Sequence, residues 1–457
     1  MNNDKKKIGL ALSGGGYRAA AYHVGTLRAL HKLGVLNKVD VISSVSGGSI
    51  TTAYYALHKD DYESFEQGFT ARLQRGVLWS SFLYLGVLGV LVLAFAVALG
   101  YVTSLVMGGL WPHHPIWAGS VATLVGVSAL VFTVLGIFKN SFTTLPTSKF
   151  ISKLYDKIFF ECKTLSDLPK TPVLCINSTN IATQLPFTFS RGMMGEYAYR
   201  INGKSLFDAT NFPLSRAVMA SSCVPYGFTP ITIASRFVNG KYKDCEQKPE
   251  PPKLIDGGVY DNQGAHKLSH DKSRFHCDYI IVSDAGNGKI SAASTTHFFN
   301  LVVNSTNMMM DRIKKMQRSD NLYEGFGGKE HFAYVPLEWD CCERQLHGFI
   351  KNLREDNIHP DVWQAHGITE AEIAALKSNE TARIAAETTI MQHIKANVAW
   401  SKMEKSKPSA ESLDIARHVG TSLVALSTSK IEALIAHSAW LAELQVRLYL
   451  PMLIEET

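Results

Sequence analysis

Between Arg75 and Lys139 the chain runs for 63 residues without one Asp, Glu, Lys or Arg. Few folds can accept such a run. A helix needs roughly 20 apolar residues to cross a bilayer. The stretch therefore holds two spans, about 77–105 and 116–138, joined by the turn GGLWPHHPIW. Pro112 and Pro115 interrupt the helices there, and Trp111 and Trp117 suit the membrane–water interface. A core hairpin of a soluble protein would have to be unusually long and charge-free. His113 and His114 lack a third ligand nearby and read as a solvated turn. Arg72, Arg75, Lys139, Lys149 and Lys153 flank the spans, whereas the turn has neither Lys nor Arg. The positive-inside tendency then places both flanks, and the globular parts with them, in the cytoplasm. The expectation is an integral membrane protein with two spans, its basic flanks favouring anionic headgroups. Gly86, Gly89 and Gly119 would permit close helix packing in the bilayer, which leaves the oligomeric state open.

On either side of the hairpin the pattern is α/β. IGLAL (8–12) is a strand, Arg18 to Leu33 a helix with Gly34 at its C-cap, and Val39 to Ile42 a second buried strand. Strand alternating with helix argues for a parallel sheet covered on both faces. PVLCINSTN (172–180) continues it, and 184–207 resembles a β-hairpin with Asn202-Gly203 at a turn. Residues 214–231 give a helix ending in a proline-rich loop. KLIDGGVYDNQG (253–264) and DYIIVSDAG (278–286) each set an apolar strand before acidic residues and glycine, and 297–318 is helical. From about 330 the rhythm fades into helices. Thr369 with Glu372 and Ser429 with Glu432 fit capping boxes, with a polar linker at 402–412 between them. The net charge of +6 is mild, and no basic-aromatic stripe points to nucleic acid. Seven cysteines without paired spacing give no disulfide framework, and Cys341-Cys342 lack histidines at zinc spacing.

The chemistry centres on SVSGG, residues 44–48. A strand that stops at Ser46 and restarts as a helix has the build of a nucleophile elbow, in which a strained turn lifts the serine hydroxyl over the sheet edge. Gly47 and Gly48 let the helix pack close, while Ser44 stands where the elbow pattern has its first glycine. Serine needs a base and donors for the oxyanion. Gly14, Gly15 and Gly16 lie between the first strand and its helix, with backbone N–H groups and a helix N-terminus available to an anion. They lack both the Lys-Ser/Thr of a P-loop and dinucleotide-binding spacing. No histidine occupies a strand-end loop, and His23 falls mid-helix, where packing explains it. Asp256, directly after a strand, is the better base provided burial raises its pKa; Asp261 and Asp284 are its rivals.

Together these segments resemble the patatin-like phospholipase family over roughly residues 8–290, the hairpin set aside. GGGYR (Gly14 to Arg18) matches the family's oxyanion loop with its arginine, SVSGG its elbow, and DGG (Asp256, Gly257, Gly258) its dyad motif, with ASSCVPYGFTPI between them. The resemblance implies a three-layer α/β/α sandwich and hydrolysis of acyl esters in membrane phospholipids or other lipids. It implies no cofactor and no metal. Ser46 is the implied nucleophile and Asp256 the base, with Gly14, Gly15 and Gly16 as oxyanion hole and Arg18, Gly48, Gly257 and Gly258 in support. The expected organisation is a catalytic domain in two parts, 1–75 and 139–325, the transmembrane hairpin at 76–138, and a mainly helical C-terminal extension at 326–457. An acyltransferase with the same dyad, and a non-catalytic lipid-binding scaffold, are the alternatives.

Overall fold

Runs of β-branched and aliphatic residues build a mixed sheet whose parallel strands are buried on both faces. The computed structural model describes residues 6–139, 146–201, 203–225, 227–239, 250–286, 298–323 and 330–455. The strands are β1 (Ile8–Leu12), β2 (Val41–Val45), β3 (Val173–Asn180), β4 (Leu185–Ser190), β5 (Met193–Gly195), β6 (Arg200–Ile201), β7 (Lys204–Ser205), β8 (Ile231–Thr232), β9 (Lys253–Asp256), β10 (Tyr279–Asp284) and β11 (His331–Pro336). The main sheet runs β11-β10-β1-β2-β3-β4-β5, parallel from β11 to β3 and antiparallel beyond. β6 and β7 pair apart from it, around a turn whose Asn202 lies outside the described residues. From β1 the chain winds to β2 and β3 on one side, then returns to β10 and β11 on the other. The winding direction thus reverses at β1, and such switch points open a crevice at the carboxyl ends of the strands.

Alternate residues divide between the faces, as the pleat requires. Leu10, Leu12, Ile42 and Ile281 join the larger core, and Ala11, Val41, Ile280 and Val282 the smaller one. The larger core lies under α1 (Gly16–Lys32) and α2 (Gly47–Leu57). The smaller is closed by Ala265, Leu268 and Phe275, so the second helical layer is thin. α3 (Tyr62–Leu73) leads to α4 (Leu78–Leu110) and α5 (Pro115–Lys139), and α6 (Thr147–Tyr155) brings the chain back to β3. Within α4 and α5, Gly89–Leu110 and Pro115–Ile137 are long and apolar enough to cross a membrane, with mean hydropathies of 2.4 and 2.2. Their lengths of 22 and 23 residues correspond to about 33 Å each at 1.5 Å per residue. The helices touch at Gly100 and Gly126, where an added Cβ would already stand in contact with Ala122 O (3.4 Å) and Ala96 O (3.3 Å) of the opposite helix. Gly86, Gly89 and Gly119 have no neighbour within 4 Å and play no part in that contact.

The C-terminal part departs most from expectation. The α/β rhythm does not fade at 330: β11 adds a parallel strand beside β10, with Tyr279 opposite His331 and Ser283 opposite Val335. The 325/326 boundary itself lies outside the described residues. The capping box at Thr369 and Glu372 forms. The one expected at Ser429 and Glu432 does not, because Ser427 takes the N-cap position. The linker at 402–412 is mostly helix, Trp400–Lys405 and Ala410–His418. Helices α7 (Leu214–Ser221) and α8 (Phe298–Tyr323) follow the expected patterns. The last helix, α9 (Thr428–Tyr449), packs along α1 in the same core as the sheet. Ser438 Oγ donates to Tyr22 O, and Lys32 pairs with Glu443 at 2.6 Å. The crossing point is Gly25, where a Cβ would collide with Ser438 Oγ and Ile435 O. Because one of those atoms is backbone, relief requires the helices to separate, and overpacking of this kind costs about 1–3 kcal/mol. We expect Gly25→Val to lower the melting temperature and expose α9 to limited proteolysis, while Gly86→Val, at an open position, leaves both unchanged.

Candidate active site

Ser46 follows β2 immediately and caps α2, with φ 50° and ψ −117°. A non-glycine residue in that region is strained by about 1–3 kcal/mol and stays there only when its surroundings hold it. Here they do. Ser46 N–H donates to Ser221 Oγ (2.9 Å), Ser221 Oγ donates to Asn177 O (2.6 Å), and Ser49 Oγ lies 2.9 Å from Ser221 Oγ. Ser49 Oγ also donates to Ser44 Oγ (3.1 Å), so the side chain in place of the elbow's first glycine is accommodated in a buried hydroxyl network. A Cβ at Gly47 would strike Gly16 O and one at Gly48 would strike Leu12 O, which explains both glycines by close approach to the β1 turn.

Asp256 arrives from the opposite direction. β3 has β4 on one edge, and on the other edge β2 pairs as far as Asn177, where Val45 sits opposite. The next residue of β3, Ser178, is opposite Asp256 at the end of antiparallel β9. β2 and β9 therefore occupy the same edge of β3 end to end, and their last residues meet. Asp256 is buried, accepts from Gly258 N–H (2.7 Å), and lines one cavity with Ser46. Burial pushes the Asp256 carboxyl up to about 6, with the bonds from Gly258 and Ser46 opposing the rise. Gly257 is required by contact, since a Cβ there would strike Asn177 O, and Gly258 supplies the N–H just named.

The rival acids are otherwise engaged. Asp261 accepts from Gln263 N–H (3.0 Å) and His266 N–H (2.8 Å). Asp284 accepts from Gly286 N–H (2.7 Å) and Gln263 Nε2 (3.2 Å) and faces Lys314 at 3.5 Å. His23 is buried between Ser283 Oγ (2.8 Å) and Ser13 O (2.9 Å), tying β10 to the β1 turn, and burial lowers its pKa to about 4.

The glycine loop divides its tasks. Gly14 donates its N–H to Asn262 O (2.9 Å) and is thereby withdrawn from the expected oxyanion set. Its missing side chain matters instead, because a Cβ would press on Asn262 Oδ1 and Ser46 Cβ. Gly15 (φ 141°) and Gly16 (φ 60°) use backbone regions that side chains disfavour, and their N–H groups have no protein acceptor among the described residues. Both open α1, whose N-terminus lies against that of α2, since a Cβ at Gly47 would strike Gly16 O and Ser46 caps α2. Arg18 lies beneath the loop, its Nη1 donating to Val419 O (3.3 Å), and burial lowers its pKa to about 10.

Ser46, Asp256, Gly14, Gly15 and Arg18 line one cavity of about 120 Å³ with Val224, Asn262 and Thr421, and α8 supplies Val303, Asn307 and Met310. That is below the roughly 300 Å³ of an ordinary small-molecule site, so the space that Ser46 shares with α8 is narrow. Ser221, Asn262 and the 419–426 loop were not singled out in the sequence. Ser221 and Asn262 lie inside segments that were, the first as the second residue of ASSC and the other within DGGVYDNQG, whereas nothing marks the loop.

A family model for patatin-like phospholipase matches residues 10–268, more than half of the 457 residues and including Ser46 and Asp256. Among solved structures, human GIVD cytosolic phospholipase A2 in complex with methyl gamma-linolenyl fluorophosphonate is similar at 12% identity and a TM-score of 0.44, over 98% of this chain and 58% of that one. VipD from Legionella pneumophila is similar at 14% identity and a TM-score of 0.30, over 96% and 91% of the two chains. This chain thus spans little more than half the length of the human phospholipase chain. No curated protein matches the sequence. The match to the family model runs from β1 through the segments that carry Ser46 and Asp256, and the chain belongs to the patatin-like phospholipase family.

Proposed function

We propose that the chain is a membrane-anchored serine acyl hydrolase of lipids, of phospholipase A or lysophospholipase type, working through Ser46 and Asp256. The observation that carries this reading is the meeting, in one cavity at the abutting ends of β2 and β9, of the strained Ser46 with a buried carboxyl whose pKa is raised to about 6. A base with a pKa near ambient pH combines a substantial ionised fraction with useful proton affinity. Asp256 takes the Ser46 proton as Oγ bonds to the ester carbonyl carbon. The N–H groups of Gly15 and Gly16 receive the oxyanion, supported by the two helix N-termini and by the positive charge of Arg18. Collapse expels the alcohol, which leaves with the proton held by Asp256. The same carboxylate then deprotonates a water that attacks the acyl-serine, and the fatty acid departs. α4 and α5 are the anchor, and the globular part lies on the cytoplasmic side, a reading supported by the basic residues at both roots and their absence from the Trp111–His114 turn.

Ser46→Ala should abolish labelling by a fluorophosphonate and lower fatty-acid release from phospholipid vesicles by at least about a thousandfold. Asp256→Asn should lower release comparably. In the wild type, kcat/KM should rise as pH increases through about 6, where Asp256 loses its proton. Activity that persists in both variants removes the dyad.

The same shift has a thermodynamic consequence. The folded pKa of Asp256 is about 6, above its unfolded value near 4. Its contribution to stability is therefore fully present below pH of about 4 and is lost as pH rises through about 6. Asp256→Asn, which cannot ionise, should raise the melting temperature at pH 7.5 and change it little at pH 4.

Sidedness is testable with a membrane-impermeant maleimide. His113→Cys should react in sealed, right-side-out membranes, whereas the exposed native Cys162 should react only after permeabilisation. Reaction at Cys162 in sealed membranes reverses the orientation.

A further inference from the structure

Both roots of the membrane hairpin are hydrogen-bonded to loops that line the catalytic cavity. At the entry, Val77, the residue before α4, donates its N–H to Leu423 O (3.1 Å), and Leu426 N–H donates to Leu73 O at the end of α3 (3.1 Å). That loop carries Thr421 in the cavity wall, and its Ser422 O accepts from Tyr17 N–H (2.8 Å) next to the glycine turn. At the exit, α6 begins with Thr147 and Ser148. Thr229 N–H donates to Thr147 Oγ1 (3.1 Å), and Ser148 N–H donates to Thr229 Oγ1 (3.2 Å). Thr229 closes the turn after α7, whose Val224 and Pro225 line the cavity with Ser46.

Each loop also presents an uncovered valine. Val424 is 51% exposed and Val224 46% exposed. Scattered apolar side chains on a surface need no explanation, but these two stand at the roots of a charge-free hairpin. Val424 adjoins Leu423, whose carbonyl holds Val77, and consecutive Cα atoms are about 3.8 Å apart. Val424 therefore lies beside Val77, at the point where the charge-free run of the hairpin leaves the globular part.

We propose that the cavity opens onto the membrane surface through which its own hairpin passes, with Val424 and Val224 resting in the lipid interface and the substrate drawn directly from that leaflet. This rests on the acyl-hydrolase reading and specifies where its substrate enters. The hairpin, in this arrangement, does more than raise the local lipid concentration. It fixes the orientation of the mouth, because the loops that form two walls of the cavity are the loops that brace its roots. A lipid then reaches Ser46 by a short displacement out of the leaflet instead of a complete transfer into water, where each exposed methylene costs about 0.8 kcal/mol.

The test uses the full chain in phosphatidylcholine–phosphatidylglycerol vesicles, with Cys162, Cys245 and Cys342 replaced by serine. Val424→Cys carrying an environment-sensitive fluorophore should give blue-shifted emission quenched by brominated lipid. Asp271→Cys, in the loop before β10 and hence at the opposite edge of the sheet, should give water-like emission. Water-like, unquenched emission at position 424 overturns the proposal. Independently, Val424→Glu should lower fatty-acid release from vesicles by about tenfold, with fluorophosphonate labelling of Ser46 and hydrolysis of a dissolved short-chain ester unchanged. Equal rates for wild type and Val424→Glu on vesicles also overturn it. Failure of the hydrolase reading is separate and would appear as Ser46→Ala retaining ester hydrolysis.

Discussion

The structure depends on two strands sharing one edge of a third. β2 ends where β3 reaches Asn177, and β9 takes over the same edge from Ser178, running the other way. A parallel strand and an antiparallel strand placed in line must point their carboxyl ends at each other. Whatever residues occupy those ends are brought into contact, although about 210 positions separate them in the chain. Here they are a serine and an aspartate. The rest of the fold holds that meeting in place: α7 lies beneath it through Ser221, and Asp256 N–H is secured by Cys223 O (2.8 Å).

Maintaining the contact carries an energetic cost. Ser46 occupies a backbone region that favours glycine, and a carboxyl is buried without a cation at hydrogen-bonding distance among the described residues. Either feature alone costs stability on the order of 1–3 kcal/mol. Both are offset by backbone bonds rather than by charges, which keeps Asp256 titratable. A lysine such as Lys314 beside Asp256 would stabilise the carboxylate and lower its pKa. Lys314 is instead turned to Asp284 and Asp311 (3.5 and 3.2 Å), where it helps pin α8 over the cavity.

Much of this was legible beforehand because it is written in short windows. The charge-free run, the SVSGG turn, the three glycines and the DGG segment are each local patterns, and their elements form where the patterns place them. What could not be read is carried by pairing between distant segments. Gly14 looked equivalent to Gly15 and Gly16, yet its N–H is taken by Asn262, a residue some 250 positions away. β11 was hidden because HFAYVP, with His331 and Tyr334, lacks a continuous aliphatic run. Its burial comes from the helices above it, and Tyr22 Oη donates to Val335 O (3.2 Å) from one of them. Helix α9 looked like part of a separate extension because nothing in its composition reveals that Gly25 of α1 is shaped to receive it.

The position of the hairpin follows from the same geometry. An insertion is tolerated where its two ends lie close together and leave the surface, and loops at the carboxyl edge of a parallel sheet meet that requirement better than loops buried beneath it. The cavity lies at that edge as well, since the strand reversal at β1 opens it there. A hairpin between α3 and α6 therefore emerges beside the cavity for a topological reason, before any selection for lipid access operates. The loop at 419–426 then joins the two, binding the hairpin root with one carbonyl and the first helical residues after the glycine turn with its neighbour. Displacing the root would pull on Ser422 and through it on Tyr17 and Gly16. The hairpin root and the glycine turn are thus connected by two backbone hydrogen bonds on adjacent residues.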